Sequence, residues 1–270
     1  MERILAAKGR KTVNLQSYIE ERLKERRVLL MTHLIAGYPS LEENERMLEI
    51  MNEVGVDLVE LQMPFSEPVA DGPTFARANQ RALEKGISLE QYFDLMARST
   101  RQHAFPHLMM GYYNTAFRMG HEAFCDRLAA SGAVGYILPD LPVEEADELF
   151  ALSKERELHP IQLMTPTNTD VRLGAIGQHA AGFVYVVARR GVTGSRTDID
   201  ADLYAFVERC RGATSTPLAL GFGLGSGADL QRLQGQVEIG IVGSQLLRTW
   251  EEEGEAAYAD LLHDLVAGRI

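Results

Sequence analysis

The sequence predicts a single (β/α)8 (TIM) barrel of the α/β class, with one extra helix before the first strand. Three observations carry this reading. Short apolar runs rich in Val, Ile and Leu alternate with longer amphipathic segments along the whole chain. Eight such runs occur, and their continuous apolar character suits parallel strands covered on both faces. No low-complexity linker interrupts the rhythm, and 270 residues suit one large barrel. A doubly wound sheet is the runner-up; the strand count and the uninterrupted repeat favour closure.

Taken in order, residues 1–12 are charged, lack an apolar signal core and read as an N-terminal extension, with the barrel domain over 13–270. Residues 16–26 read as the extra helix, placed to plug the bottom of the barrel. The predicted strands are 28–35, 56–61, 108–110, 134–138, 160–163, 183–187, 218–220 and 239–242. Between them, 41–53 sets Leu41, Met47, Leu48 and Met51 on one face with charges opposite, and 122–130, 144–157 and 201–211 repeat that pattern. One helix is expected after each strand.

Composition removes several classes of function. A net charge of −11 argues against a nucleic-acid binder, which needs a basic face. It also means that an anionic substrate must be held by local donors rather than by the overall field. Cys125 and Cys210 lack metal-ligand spacing and read as packed apolar groups in a reducing, cytoplasmic setting. No apolar run reaches the length of a membrane span, and the histidines show no metal-site pattern.

In a barrel, chemistry sits at the C-terminal ends of the strands. Glu60 lies inside the second apolar run, where a carboxylate is costly to bury without a partner or a task. Asp71 follows on the next loop, between Ala70 and Gly72. Two carboxylates so placed can point into one cleft, as proton-transfer chemistry requires. The bland reading makes Glu60 a buried ion-pair partner and Asp71 a turn residue. Glycines after strands six, seven and eight, among them Gly194, Gly223 and Gly243, allow backbone N–H groups to face a phosphate, with Ser244 capping the last of these helices. Tyr185 alternates with Phe183 on strand six and, if inward, reaches toward Glu60. Asp140 and His33 read as structural.

These segments together resemble the tryptophan synthase alpha subunit family, from about Val28 to the C-terminus. The family signature around its catalytic glutamate has its counterpart in Val59-Glu60-Leu61-Gln62-Met63-Pro64-Phe65-Ser66-Glu67-Pro68-Val69-Ala70-Asp71-Gly72-Pro73. Tyr112 with Asn114, the run from Asp140 to Glu145, Gly191-Val192-Thr193-Gly194, Gly221-Phe222-Gly223 and Gly243-Ser244 follow in the family's order. The resemblance implies retro-aldol cleavage of indole-3-glycerol phosphate to indole and glyceraldehyde 3-phosphate, with no cofactor in this subunit. It implies Glu60 as general acid/base, Asp71 as the partner of the indole N–H, and Tyr185 as the residue orienting Glu60. Tyr112 and Phe222 join the substrate pocket, and Gly194, Gly223, Gly243 and Ser244 hold the phosphate. Thr193 closes on Asp71. The resemblance also implies a PLP-dependent beta subunit as partner in an α2β2 assembly, contacted near Asp140, Asn114 and Pro64–Phe65. Rival readings are a stand-alone indole-releasing lyase or related phosphate-substrate barrel enzyme, and an alpha-like subunit that activates beta allosterically.

The departures from the family pattern fall in the pocket. Gln62 stands where the family has glycine, on the same side of strand two as Glu60. His33 stands at a position usually apolar and aromatic, Glu67 replaces an aspartate, and Ala188 a serine. Gln62 is expected either to take substrate space or to hydrogen-bond Glu60 or a neighbour, and so to slow the enzyme.

Overall fold

Eight strands close into a barrel in chain order, every neighbouring pair parallel, and β8 returns to β1. The computed structural model describes residues 14–187, 201–221 and 223–270. The expected extension over 1–12, the loop with Ala188, Thr193 and Gly194, and Phe222 lie outside the described residues. The strands are β1 (Leu29–Ile35), β2 (Leu58–Gln62), β3 (His107–Met110), β4 (Gly135–Ile137), β5 (His159–Met164), β6 (Val184–Val187), β7 (Leu218–Gly221) and β8 (Ile239–Val242). Each falls on a predicted run.

The register shows why those runs are continuously apolar. Met31 pairs with Leu58, His33 with Glu60 and Ile35 with Gln62. Paired residues of parallel strands face the same way, and alternate residues face opposite ways. One alternate set, Leu29, Met31, Leu58, Leu108, Ile161, Phe183 and Ile239, packs inside the barrel. The other, Leu30, Leu34, Val59, Leu61, Met109, Val184 and Leu220, packs against the helices. Toward the C-terminal ends the inward layer changes character: His33, Glu60 and Gln62 continue it and are all buried. An apolar stack thus ends in a polar layer at the mouth.

Among the described residues the helices outnumber the one per strand that the sequence suggested. They are α1 (Leu15–Arg22), α2 (Leu41–Val54), α3 (Pro73–Glu84), α4 (Leu89–Gln102), α5 (Tyr113–Met119), α6 (His121–Ser131), α7 (Asp147–Glu155), α8 (Asp170–Gln178), α9 (Ala201–Ala213), α10 (Gly227–Leu233), α11 (Ser244–Glu253) and α12 (Glu255–Ala267). Two helices follow each of β2, β3 and β8. The breaks have local causes. Ser88 and Gln91 form a reciprocal capping box that starts α4. Gly120 and Gly254, at φ 81° and 84°, end one helix and begin the next, a conformation that disfavours residues with a Cβ. The helix expected over 144–157 is shorter, because a 3-10 turn, Val143–Glu145, precedes α7. No helix among the described residues is long and apolar enough to cross a membrane.

The extra helix α1 plugs the barrel bottom as expected, but it ends at Arg22 rather than at residue 26. Its Leu15 and Ile19 are fully buried in the inner cluster. Asp57, just before β2 and fully buried, ties α1 and the C-terminus to this end. Its Oδ1 accepts from Arg22 Nη2 at 3.1 Å, and its Oδ2 accepts from the Leu30 backbone N–H at 2.9 Å and pairs with Arg269. Burial pushes the Arg269 guanidinium below its ordinary pKa, and the Asp57 charge counters this. Replacing Asp57 by Ala leaves that guanidinium buried without its counter-ion, a loss of about 3–5 kcal/mol. Urea denaturation should show a midpoint lowered accordingly at unchanged slope; an unchanged midpoint would contradict the role.

Candidate active site

The polar layer at the mouth is one continuous hydrogen-bonded chain. Because β1 and β2 place His33 opposite Glu60, the imidazole and carboxylate meet side by side: His33 Nδ1 lies 2.8 Å from Glu60 Oε1. Gln62, two residues on and on the same face, sets its Oε1 at 2.7 Å from His33 Nε2. Its Nε2 donates to Asp71 Oδ2 at 2.7 Å, with Asn79 Oδ1 at 3.3 Å. Asn79 Nδ2 donates to the same Asp71 oxygen at 3.2 Å. The two carboxylates predicted to share a cleft are therefore joined through His33 and Gln62.

Local structure explains how the loop delivers Asp71. After β2 the chain turns, and the Asp71 backbone N–H donates to the Pro68 carbonyl at 2.9 Å. Gly72 and Pro73 then open α3. Asn79 on α3 accepts from the Phe65 backbone N–H at 3.0 Å, pinning the loop from the helix side. The Tyr112 hydroxyl accepts from the Ala70 N–H at 3.1 Å, and Phe65 stacks on the Tyr112 ring at 5.0 Å. Phe75 of α3 stacks on His33, centroids 4.3 Å apart.

Burial dominates the electrostatics. Asp71 is raised above its ordinary carboxylate pKa, chiefly by desolvation. His33 and the hydrogen bonds from Gln62 and Tyr112 oppose this, and the Glu60 charge adds to it. For His33, burial alone would lower the pKa. The Glu60 charge and hydrogen bond, with Asp71 and Gln62, outweigh it and raise the imidazole. The Tyr185 phenol is pushed well up by burial and by the charges of Glu60 and Asp71.

A cavity leads from this chain to the glycine-rich loops. Its walls include His33, Glu60 and Tyr185 together with Gly223, Gly243 and Ser244. Close packing requires glycine at two of the strand ends. A Cβ on Gly221 would lie 2.4 Å from the Tyr185 hydroxyl, and one on Gly243 would lie 2.6 Å from Phe75 Cζ. The helix α11 opens on the cavity with its N-terminus, where first-turn N–H groups have no helical acceptor.

Glu60, Tyr185, Gly223, Gly243 and Ser244 are thus brought to one cavity, and Asp71 and Tyr112 to its flank through Gln62 and the loop after β2. Thr193, Gly194 and Phe222 lie outside the described residues. Two readings change. Ser244 is the first residue of α11 rather than its cap; Gly243 holds the cap position, with no side-chain cap bond. His33, read as packing, is a polar link, and the hydrogen bonds of Gln62 go to His33, Asp71 and Asn79. Asn79 and Phe75 were missed. A signal existed for Asn79: it falls on the buried face of α3 with Phe75, Ala78 and Ala82, where an amide needs partners. Asp140 Oδ1 accepts from the Tyr113 N–H at 2.8 Å at the start of α5, in keeping with the structural reading.

A closed parallel barrel with a buried carboxylate on β2 and a helix N-terminus lining the same cavity has the layout of a barrel enzyme. A sequence profile of the tryptophan synthase alpha chain matches residues 19–266. The tryptophan synthase alpha chain of Syntrophotalea carbinolica is 42% identical over 93% of this chain and 99% of its own length. That of Desulfotalea psychrophila is 41% identical over 94% and 100%. A solved structure of Mycobacterium tuberculosis tryptophan synthase superposes with a TM-score of 0.89 at 31% identity, covering 96% of this chain and all of that one. The chain belongs to the tryptophan synthase alpha chain family, and it is a carbon–carbon lyase that cleaves indole-3-glycerol phosphate.

Proposed function

We propose that Glu60 performs the acid–base steps of this cleavage, Asp71 supports the ring nitrogen, and the glycine loops hold the phosphate. One observation carries the reading: Glu60 lines the same cavity as Gly223, Gly243 and the N-terminus of α11. A substrate with its phosphate at the helix end therefore lays its reacting carbon toward Glu60. Glu60 gives a proton to the ring carbon that bears the glycerol chain. As the carbon–carbon bond breaks, it takes the proton of the adjacent glycerol hydroxyl, so that indole and an aldehyde leave. Asp71 accepts the ring N–H and offsets the positive charge that builds there. Tyr185, packed over Gly221 and lining the same cavity as Glu60, orients it. Backbone donors at Gly194, Gly223, Gly243 and Ser244 hold the phosphate, Tyr112 and Phe222 complete the pocket, and Thr193 closes on Asp71. No cofactor is needed for these steps. The partner is a PLP-dependent beta subunit in an α2β2 complex, in keeping with the solved tryptophan synthase complex of Pyrococcus furiosus, similar to this chain at a TM-score of 0.80.

Indole release from indole-3-glycerol phosphate, followed with and without a beta subunit, tests the reading. Cleavage is expected alone and faster with beta, with inorganic phosphate competing against substrate. Phosphate that leaves KM unchanged at saturating concentration would remove the proposed anion site.

A further inference from the structure

The chain joining the two carboxylates constrains the proton positions along it. Asp71 Oδ2 receives both Gln62 Nε2 and Asn79 Nδ2, at 2.7 and 3.2 Å. Turning the Gln62 amide over would set its carbonyl against the Asp71 carboxylate and the Asn79 oxygen, two acceptors against a third. The amide is therefore held with nitrogen toward Asp71 and oxygen toward His33. A carbonyl oxygen only accepts, so His33 Nε2, 2.7 Å away, carries a proton. His33 Nδ1 is 2.8 Å from Glu60 Oε1, and an ionised carboxylate there requires a second ring proton.

We infer that His33 is a positioning residue for the cleavage: an imidazolium that donates Nδ1–H to Glu60 and Nε2–H to Gln62, with Asp71 and Asn79 fixing the arrangement through the Gln62 amide. This rests on Glu60 being the acid–base group. The groups facing the ring agree. Glu60 on β2 and Asp71 on the following loop act on it as carboxylates, Tyr185 on β6 shares its cavity, and Phe75 of α3 stacks on its face. Burial lowers the imidazole pKa, and the two carboxylates outweigh it.

The arrangement has two consequences. It sets Glu60 Oε1 where it can take the Nδ1 proton. It also ties the state of the His33 ring to the Glu60 carboxylate beside it. When the ring carbon is protonated, the Nδ1–H bond breaks as a Glu60 Oε1–H bond forms, and that Oε1–H bond breaks in turn as the same proton passes to the carbon. The glycerol hydroxyl proton taken at bond cleavage returns to the pair, so the unit ends as it began. Gln62 is then a working part of the pocket rather than an obstruction.

Nitrogen-15 spectra of histidine-labelled protein read this without turnover. In the wild type both His33 nitrogens should be protonated at neutral pH, with a midpoint above the ordinary value of about 6.5. In Glu60→Gln that midpoint should fall by about one unit or more. Activity supplies a second readout. The alkaline limb of the wild-type pH–rate profile should follow the His33 midpoint and leave that position in His33→Phe. His33→Phe and Gln62→Gly should each lower kcat, by up to about 10²-fold. A His33 ring with one bare nitrogen at neutral pH, or a midpoint indifferent to Glu60→Gln, would each overturn the inference. Loss of activity in Glu60→Gln tests the acid–base assignment separately, so the two can fail independently.

Discussion

Glu60→Gln should lose cleavage by about 10²–10⁴-fold or more while keeping the fold and substrate affinity near wild type. An amide has the carboxylate's shape but neither gives nor takes the proton. The surroundings allow the shape to be kept. Glu60 is 1% exposed, its Oε1 faces the His33 ring, and the Gln side chain can present a carbonyl to Nδ1–H at the same place. The loss should therefore appear in kcat, with KM little changed. Steady-state kinetics with indole detection decide the matter, and a variant turning over near the wild-type rate would end the assignment.

Asp71→Asn should cost about 10²–10³-fold in kcat, the size expected when a preorganised charge opposite a developing one is removed. Positive charge appears on the ring nitrogen only as the ring carbon is protonated, so the carboxylate matters more in the transition state than in the bound substrate. Both amide donors end on Oδ2. An asparagine that keeps its carbonyl toward Gln62 and Asn79 turns its NH2 group toward the ring N–H, so donor meets donor. The raised Asp71 pKa, caused first by burial, adds a pH signature. Activity should fall on the acid side at a higher pH than an exposed aspartate would give, and that limb should vanish in the variant. A variant with raised KM and unchanged kcat would make Asp71 a substrate-positioning group only.

The fold was legible because burial on both faces leaves a strand few polar positions to blur its pattern. Every strand from β1 to β8 falls on an apolar run. Glu60 stood out for the same reason, as a carboxylate inside such a run. The doubled helices after β2, β3 and β8 were less visible, since Gly120 and Gly254 interrupt a helical pattern without ending it. Ser244 was misread as a cap because serine favours that position, whereas the close approach of Phe75 leaves room only for glycine just before it.

The sequence by itself determined the barrel, the bottom plug and the carboxylates at the end of β2 and on its loop, because these rest on periodicity, burial cost and local spacing. Tertiary structure alone decided what His33 and Gln62 do. Each, taken singly, is a polar residue out of place in an apolar strand. Only the parallel register that sets His33 against Glu60, and the α3 packing that brings Asn79 to Asp71, turns them into one hydrogen-bonded chain. Hydrogen-bond partners 27 and 29 residues apart in sequence leave no local pattern to read, since their distance is set by the pairing of strands.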